Sequence, residues 1–173
     1  MRSRLSDLAH VAEIVGAVAV VISLVYVGQQ VNDSVVASRS AAVNDANVAL
    51  QSWYLDVGTN GQASSVFYRG LMSPEALAAE DEFQFLMTFH GVFLAFQNSF
   101  FLTEEGTLDA ELLESLTAAI LGVKDTPGMR RYWRQRKSYL NASFASYVDD
   151  LLTRETNTSM EIYRAPSVER DSI

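Results

Sequence analysis

The sequence predicts an all-α protein, an N-terminal transmembrane helix continuing into a soluble helical bundle of about five further helices. Three observations lead there. Residues 14–32 contain no Asp, Glu, Lys or Arg; apolar residues further along recur at helical spacing; and no stretch alternates β-branched with polar residues as a half-buried strand would.

Composition limits the chemistry. The 173 residues are 49% hydrophobic and 20% charged, with 9 Gly and 3 Pro, which suits one folded domain with an appendage. Thirteen Lys and Arg against 21 Asp and Glu leave a net charge of -8, so nucleic acid is not an expected partner. A chain with no Cys and 2 His has no thiol nucleophile, thiolate metal site or histidine-rich centre. No phosphate loop, nucleophile elbow or Glu-x-x-His pair occurs either. The chain is therefore not expected to be an enzyme, and no cofactor, catalytic residue or metal ligand is assigned.

The first element reads IVGAVAVVISLVYV from Ile14 to Val27. Extended to Asn32, it is long enough to cross a hydrocarbon core of about 30 Å at about 1.5 Å per residue. Its Val and Ile content disfavours a helix in water, but in lipid every backbone amide must be satisfied within the segment, which enforces one. A cleaved signal would need a small-residue cleavage site, and residues Tyr26 to Gln30 supply none. A core helix apolar on all sides would need a larger protein around it. Small residues Ala12, Gly16, Ala19 and Ser23 form a helix-packing seam through which two backbones could approach closely in lipid. The lipid bilayer is thus one expected partner, and a second copy or another membrane protein is the other.

The segments are a flank over 1–13, the span over 14–32, a bundle domain over 33–154 and a flexible tail over 155–173. Val31, Val35, Ala42, Ala46, Ala49 and Trp53 carry the first helix beyond the bilayer as one long rod. Gly58, Asn60 and Gly61 favour positive φ and break it. A short helix is expected around Ala63 to Leu71. Ser73, Pro74 and Glu75 read as a helix start, and the acidic run Glu80 to Glu82 as the opening of the next helix. That helix, about Asp81 to Leu102, carries seven of the nine Phe. Its Gln84, Thr88, His90, Gln97, Asn98 and Ser99 make a central bundle helix the better reading than a second span. Gly106 is a left-handed cap, with Thr107 or Asp109 starting an amphipathic helix through Leu112, Leu116, Ile120 and Val123. Thr126 and Pro127 open the stretch Met129 to Leu140, and Asn141 caps Ala142 to Thr153.

Two groups could carry function. His90, Gln97 and Asn98 share the aromatic helix and could line a ligand pocket; the plainer reading is that they satisfy neighbouring polar groups inside the bundle. Arg130, Arg131, Arg134, Arg136 and Lys137 form a basic patch interleaved with Tyr132, Trp133 and Tyr139. It suits anionic lipid headgroups or an acidic partner, unless the arginine stems simply cover Trp133. Adjacent carboxylates such as Asp81 and Glu82, or Asp149 and Asp150, diverge by about 100° on a helix and make no acid–base pair.

The stretches AEIVGAVAVVISLVYVGQQV, FHGVFLAFQNSFF, EEGTLDAEL and TPGMRRYWRQRKSYLNASFASYVDDLL together resemble a family of small bacterial membrane-anchored proteins with an N-terminal transmembrane helix and an all-α domain. The resemblance implies a single-pass protein of the bacterial inner membrane and no activity to carry over. It also implies a cytoplasmic helical domain. Arg2 and Arg4 ahead of the span, against Arg39 behind it, favour instead a cytoplasmic amino terminus, so the side of the domain stays open. The expected role is a scaffold, accessory subunit or self-assembling interaction module, with a ligand-sensing domain near His90 as the alternative.

Overall fold

A computed structural model describes the backbone of residues 2–155 and the side chains of residues 13–155. The expectations for the tail beyond Glu155 and for the side chains of residues 1–12, Ala12 included, lie outside the described residues. The described chain is all-α: α1 Arg2–Thr59, α2 Gly61–Met72, α3 Ala79–Glu104, α4 Ala110–Val123, α5 Pro127–Arg136 and α6 Ala142–Thr153, with a 3-10 turn Lys137–Tyr139 between the last two. The expected first helix and five further helices are present. The chain divides into two compact units, Met1–Ala41 and Ala42–Ile173, so the division falls beyond the end of the apolar stretch at Asn32.

The first unit is a stretch of α1 alone. From Glu13 to Ala41 every side chain is exposed. Ten large apolar side chains between Ile14 and Val27 are each more than half exposed.

The second unit is the bundle, and its core is aromatic. Phe85, Phe89, Phe93, Phe96 and Phe100 lie on the buried side of α3, against Val66 and Leu71 of α2, Ile120 and Val123 of α4, Met129 and Tyr132 of α5, and Phe144 and Val148 of α6. Each such side chain contributes about 1.5–3 kcal/mol by leaving water. The rings meet edge-on or tilted, as in Phe89 against Phe93 at 5.3 Å and Phe93 against Tyr132 at 4.7 Å. At the end of α1, Ala46 and Leu50 are buried, and the Trp53 indole N–H donates to the carbonyl of Thr88 in α3 at 2.8 Å.

The turns follow the sequence in part. Asn60 alone separates α1 from α2. Its φ is -99°, so the break needs no positive φ; the Asn60 carboxamide accepts from the amides of Gln62 and Ala63 and caps α2. Ser73, Pro74 and Glu75 do not start a helix. Ser73 ends α2 by donating its amide to Arg69, its hydroxyl bonds the backbone of Glu75, and α3 begins only at Ala79. Glu80, Asp81 and Glu82 do sit in the first turn of α3, where carboxylates complement the helix dipole. Gly106, at φ +70°, is the left-handed cap expected after α3. Thr126 caps α5 ahead of Pro127, and Asn141 caps α6.

Two glycines set how closely α2, α3 and α5 pack. A Cβ on Gly128 would lie 2.6 Å from the Cα of Leu71, and one on Gly70 would run into the ring of Phe85. Neither position has room for a side chain.

Candidate functional site

Two features of the described residues bear on function: the exposed apolar length of α1, and the surface built by α5, the 3-10 turn and α6. The described part of α1 from Glu13 onward is long and apolar enough to cross a membrane, with mean hydropathy reaching 2.0 over its most apolar 18 residues, none of which is buried. By the same length and composition α3 also passes, with mean hydropathy 1.3. However, 44% of that stretch of α3 is buried inside the bundle, which makes α3 the central helix of the fold. Gly16, Ala19 and Ser23 of the packing seam are exposed on α1, and a Cβ on Gly16 would meet nothing within 4 Å.

The structure separates the basic run into an interior and a surface. Arg131 is only 6% exposed. Its guanidinium donates to both carboxylate oxygens of Glu82, at 2.7 and 3.4 Å, to the carbonyl of Ser73 at 3.0 Å and to that of Gly70 at 2.8 Å, while lying 5.5 Å over the ring of Phe85. The second oxygen of Glu82 accepts the amide of Leu77 at 2.9 Å. One buried ion pair thus ties the end of α2, the loop after it, α3 and α5 together, with further donors satisfied by carbonyls, as burial of charge requires.

Of the other four basic residues two are exposed, Arg130 and Arg134, and two are half-buried, Arg136 and Lys137. Arg130 donates to the carbonyl of Asp125 at 3.0 Å. Arg136 lies 5.3 Å over the ring of Tyr139, and Lys137 lies 5.8 Å over the ring of Trp133. Lys137 also pairs with the carboxylate of Asp149, which accepts the indole N–H of Trp133 at 2.9 Å. The hydrogen bond from Lys137, helped by that from Trp133, holds the Asp149 carboxyl below the usual carboxylate range. Trp133, Arg134, Lys137 and Leu140 together with Ala145 and Ser146 of α6 line an open groove of about 650 Å³. Arg134 and Trp133 also line an adjoining hollow, with Arg130 and Lys124.

His90, Gln97 and Asn98 go to different places. His90 Nδ1 shares a hydrogen bond of 3.0 Å with the Tyr132 hydroxyl. Burial, then the nearby Arg136 guanidinium, hold the imidazole below its ordinary value, while burial pushes the Tyr132 phenol far up. Gln97 accepts the backbone amide of Asn141 at 2.7 Å, ahead of α6, and Asn98 is exposed. Two mostly apolar hollows of the bundle lie elsewhere: a cleft of about 30 Å³ lined by Trp53, Phe67, Phe89, Phe93 and Ile120 among others, and an open groove of about 600 Å³ lined by Leu50, Tyr54, Leu55 and Leu116 among others. Among the described residues no three His, Cys, Asp or Glu are grouped to hold a metal ion.

The sequence reads Glu82 as a helix-opening carboxylate and Asp149 as one of an adjacent pair, without their partners Arg131 and Lys137, and does not single out Ser146. The sequence signal for Arg131 is its place three residues after Gly128 and one before Tyr132, on the face of α5 that is buried. No protein-family model, curated protein or solved structure matches this chain.

Proposed function

We propose that this is a single-pass membrane-anchored helical protein, a scaffold, accessory subunit or self-assembling module that carries out no catalysis. The observation that carries the reading is the first unit: an apolar helix without one buried side chain from Glu13 to Ala41. A large apolar side chain gains about 1.5–3 kcal/mol on leaving water, so ten of them more than half exposed form a surface suited to lipid. The motif resemblance supports a bacterial inner-membrane home, and the seam at Ala12, Gly16, Ala19 and Ser23 supports contact with a second copy. The reading is favoured over a ligand sensor because His90 and Gln97 each close a bond between helices, to Tyr132 and Asn141.

The test is the mass of the full-length chain purified in a mild neutral detergent. The account expects more than one copy per particle, or a stoichiometric membrane-protein companion. If the contact is between copies, Gly16→Leu reduces the particle to a monomer. A monomeric particle holding a stoichiometric small molecule would establish the sensor instead.

A further inference from the structure

We infer that the groove between α5 and α6 is a binding site for the headgroup of an anionic phospholipid. The inference rests on the membrane-anchored reading, because the anchor is what keeps a headgroup layer at high effective concentration around the bundle.

The chemistry comes from a handful of side chains. Arg134 is exposed, and among the described residues neither a carboxylate nor a carbonyl lies in hydrogen-bond reach of its guanidinium; Arg130, one helical turn earlier, does not line the groove itself but the adjoining hollow that Arg134 also lines, and spends one N–H on the Asp125 carbonyl. A guanidinium fork matches two oxygens of a phosphodiester. Ser138 adds an exposed hydroxyl on the rim; Ser146, also exposed there, already donates its hydroxyl to the carbonyl of Ala142 at 3.0 Å. The floor, with Leu140 and Ala145 beside Trp133, is apolar and accommodates the glycerol end of a lipid rather than a free ion. Tyr139, 68% exposed and paired with Arg136, places an amphipathic ring next to the groove, as ring side chains are placed at bilayer surfaces.

Opposing charge faces the groove from α6. Asp149 lines it, but its carboxylate already accepts from Lys137 and Trp133; Asp150, on the next position, is exposed. Among the described residues Arg130, Arg134 and Arg136 have no carboxylate partner, in a chain whose net charge is -8. A local reversal of sign of this kind attracts a negatively charged layer, at about fivefold in affinity for each Arg near the surface.

The absence of native Cys permits a direct test. The full-length chain carrying Ser138→Cys is inserted into lipid nanodiscs of phosphatidylcholine, with or without phosphatidylglycerol, and its reaction with an aqueous maleimide is timed. A chain carrying Ser52→Cys, exposed on α1, is the control. The expected result is labelling of the Ser138→Cys chain about five- to twentyfold slower in the discs containing phosphatidylglycerol, with no change for the Ser52→Cys chain. Adding Arg130→Gln and Arg134→Gln removes the difference. Equal rates in the two discs, or slowing that survives the arginine changes, overturns the inference. So does equal protection in phosphatidylcholine discs by inorganic phosphate or by polyglutamate, which would identify a free-anion or acidic-peptide site. A chain that fails to co-elute with discs of either composition overturns the anchored reading itself, a distinct result.

Discussion

α1 and α3 are both long and apolar enough to cross a membrane, yet the structure treats them oppositely. Around α3 the other helices of the bundle supply apolar faces, and its polar side chains find partners: His90 bonds Tyr132, Gln97 bonds Asn141, and Ser99, fully buried, donates to the carbonyl of Ala95. Over residues 14–32 α1 has no buried side chain, and no amide that could answer a partner until Gln29. Apolar content alone therefore does not choose the solvent of a helix. Scattered polar residues with partners mark a helix dissolved in protein, and an uninterrupted apolar run without neighbours marks one suited to lipid.

Substitutions can break this contrast or sharpen it. The largest effect is expected where α3 is most enclosed. Phe93→Ala, at a fully buried ring, costs the bundle about 4 kcal/mol in denaturant unfolding of the detergent-held chain, whereas Val20→Ala, 60% exposed, leaves the same transition unmoved. Equal loss in both would mean that α1 packs on protein as α3 does.

Next comes the buried ion pair. Arg131→Met leaves Glu82 without its cation, with side-chain exposures of 7% and 12% in the pair, and costs about 3 kcal/mol. Combining it with Glu82→Gln recovers part of that loss, as a thermodynamic cycle would measure. No recovery would place the role of Arg131 in its bonds to Ser73 and Gly70 rather than in the pair.

The smallest effect is a pH dependence. His90 titrates below its ordinary value of 6.5, first through burial and then through Arg136. The unfolded chain therefore takes up the proton at higher pH than the folded one. Stability from the neutral ring is complete above the unfolded value and is lost as pH falls through the folded value. Thermal melts from about pH 7 to about pH 5 should fall less steeply for His90→Gln than for the parent chain. Identical slopes would remove His90 from the acid response.

Much of the architecture was legible because it is local. Helical spacing, the caps at Thr126 and Asn141 and the left-handed Gly106 depend on residues within a few positions of one another. What stayed hidden depends on distant partners. Ser73-Pro74 has the grammar of a helix start, but Ser73 is needed as the end of α2 and as a carbonyl partner for Arg131, 58 positions away. The basic run reads as a single surface patch, and only Glu82, 49 residues away, draws Arg131 inside. Likewise Asp149 reads as a solvated carboxylate until Lys137 and Trp133 are seen to meet on it, which ties α6 to α5 across the groove and pairs its charge. His90 and Gln97 share a face of α3 but stand two turns apart, so one meets Tyr132 and the other Asn141, while Asn98, turned about 100° from Gln97, is exposed.

The most direct test of the anchored reading is fractionation of the intact chain from the cells that make it, first in alkaline carbonate and then in neutral detergent. Retention of the full-length chain in the membrane pellet through carbonate, with release by detergent, is the expected result. Recovery of the intact chain in the aqueous fraction as a monodisperse particle, with no detergent present, would contradict it.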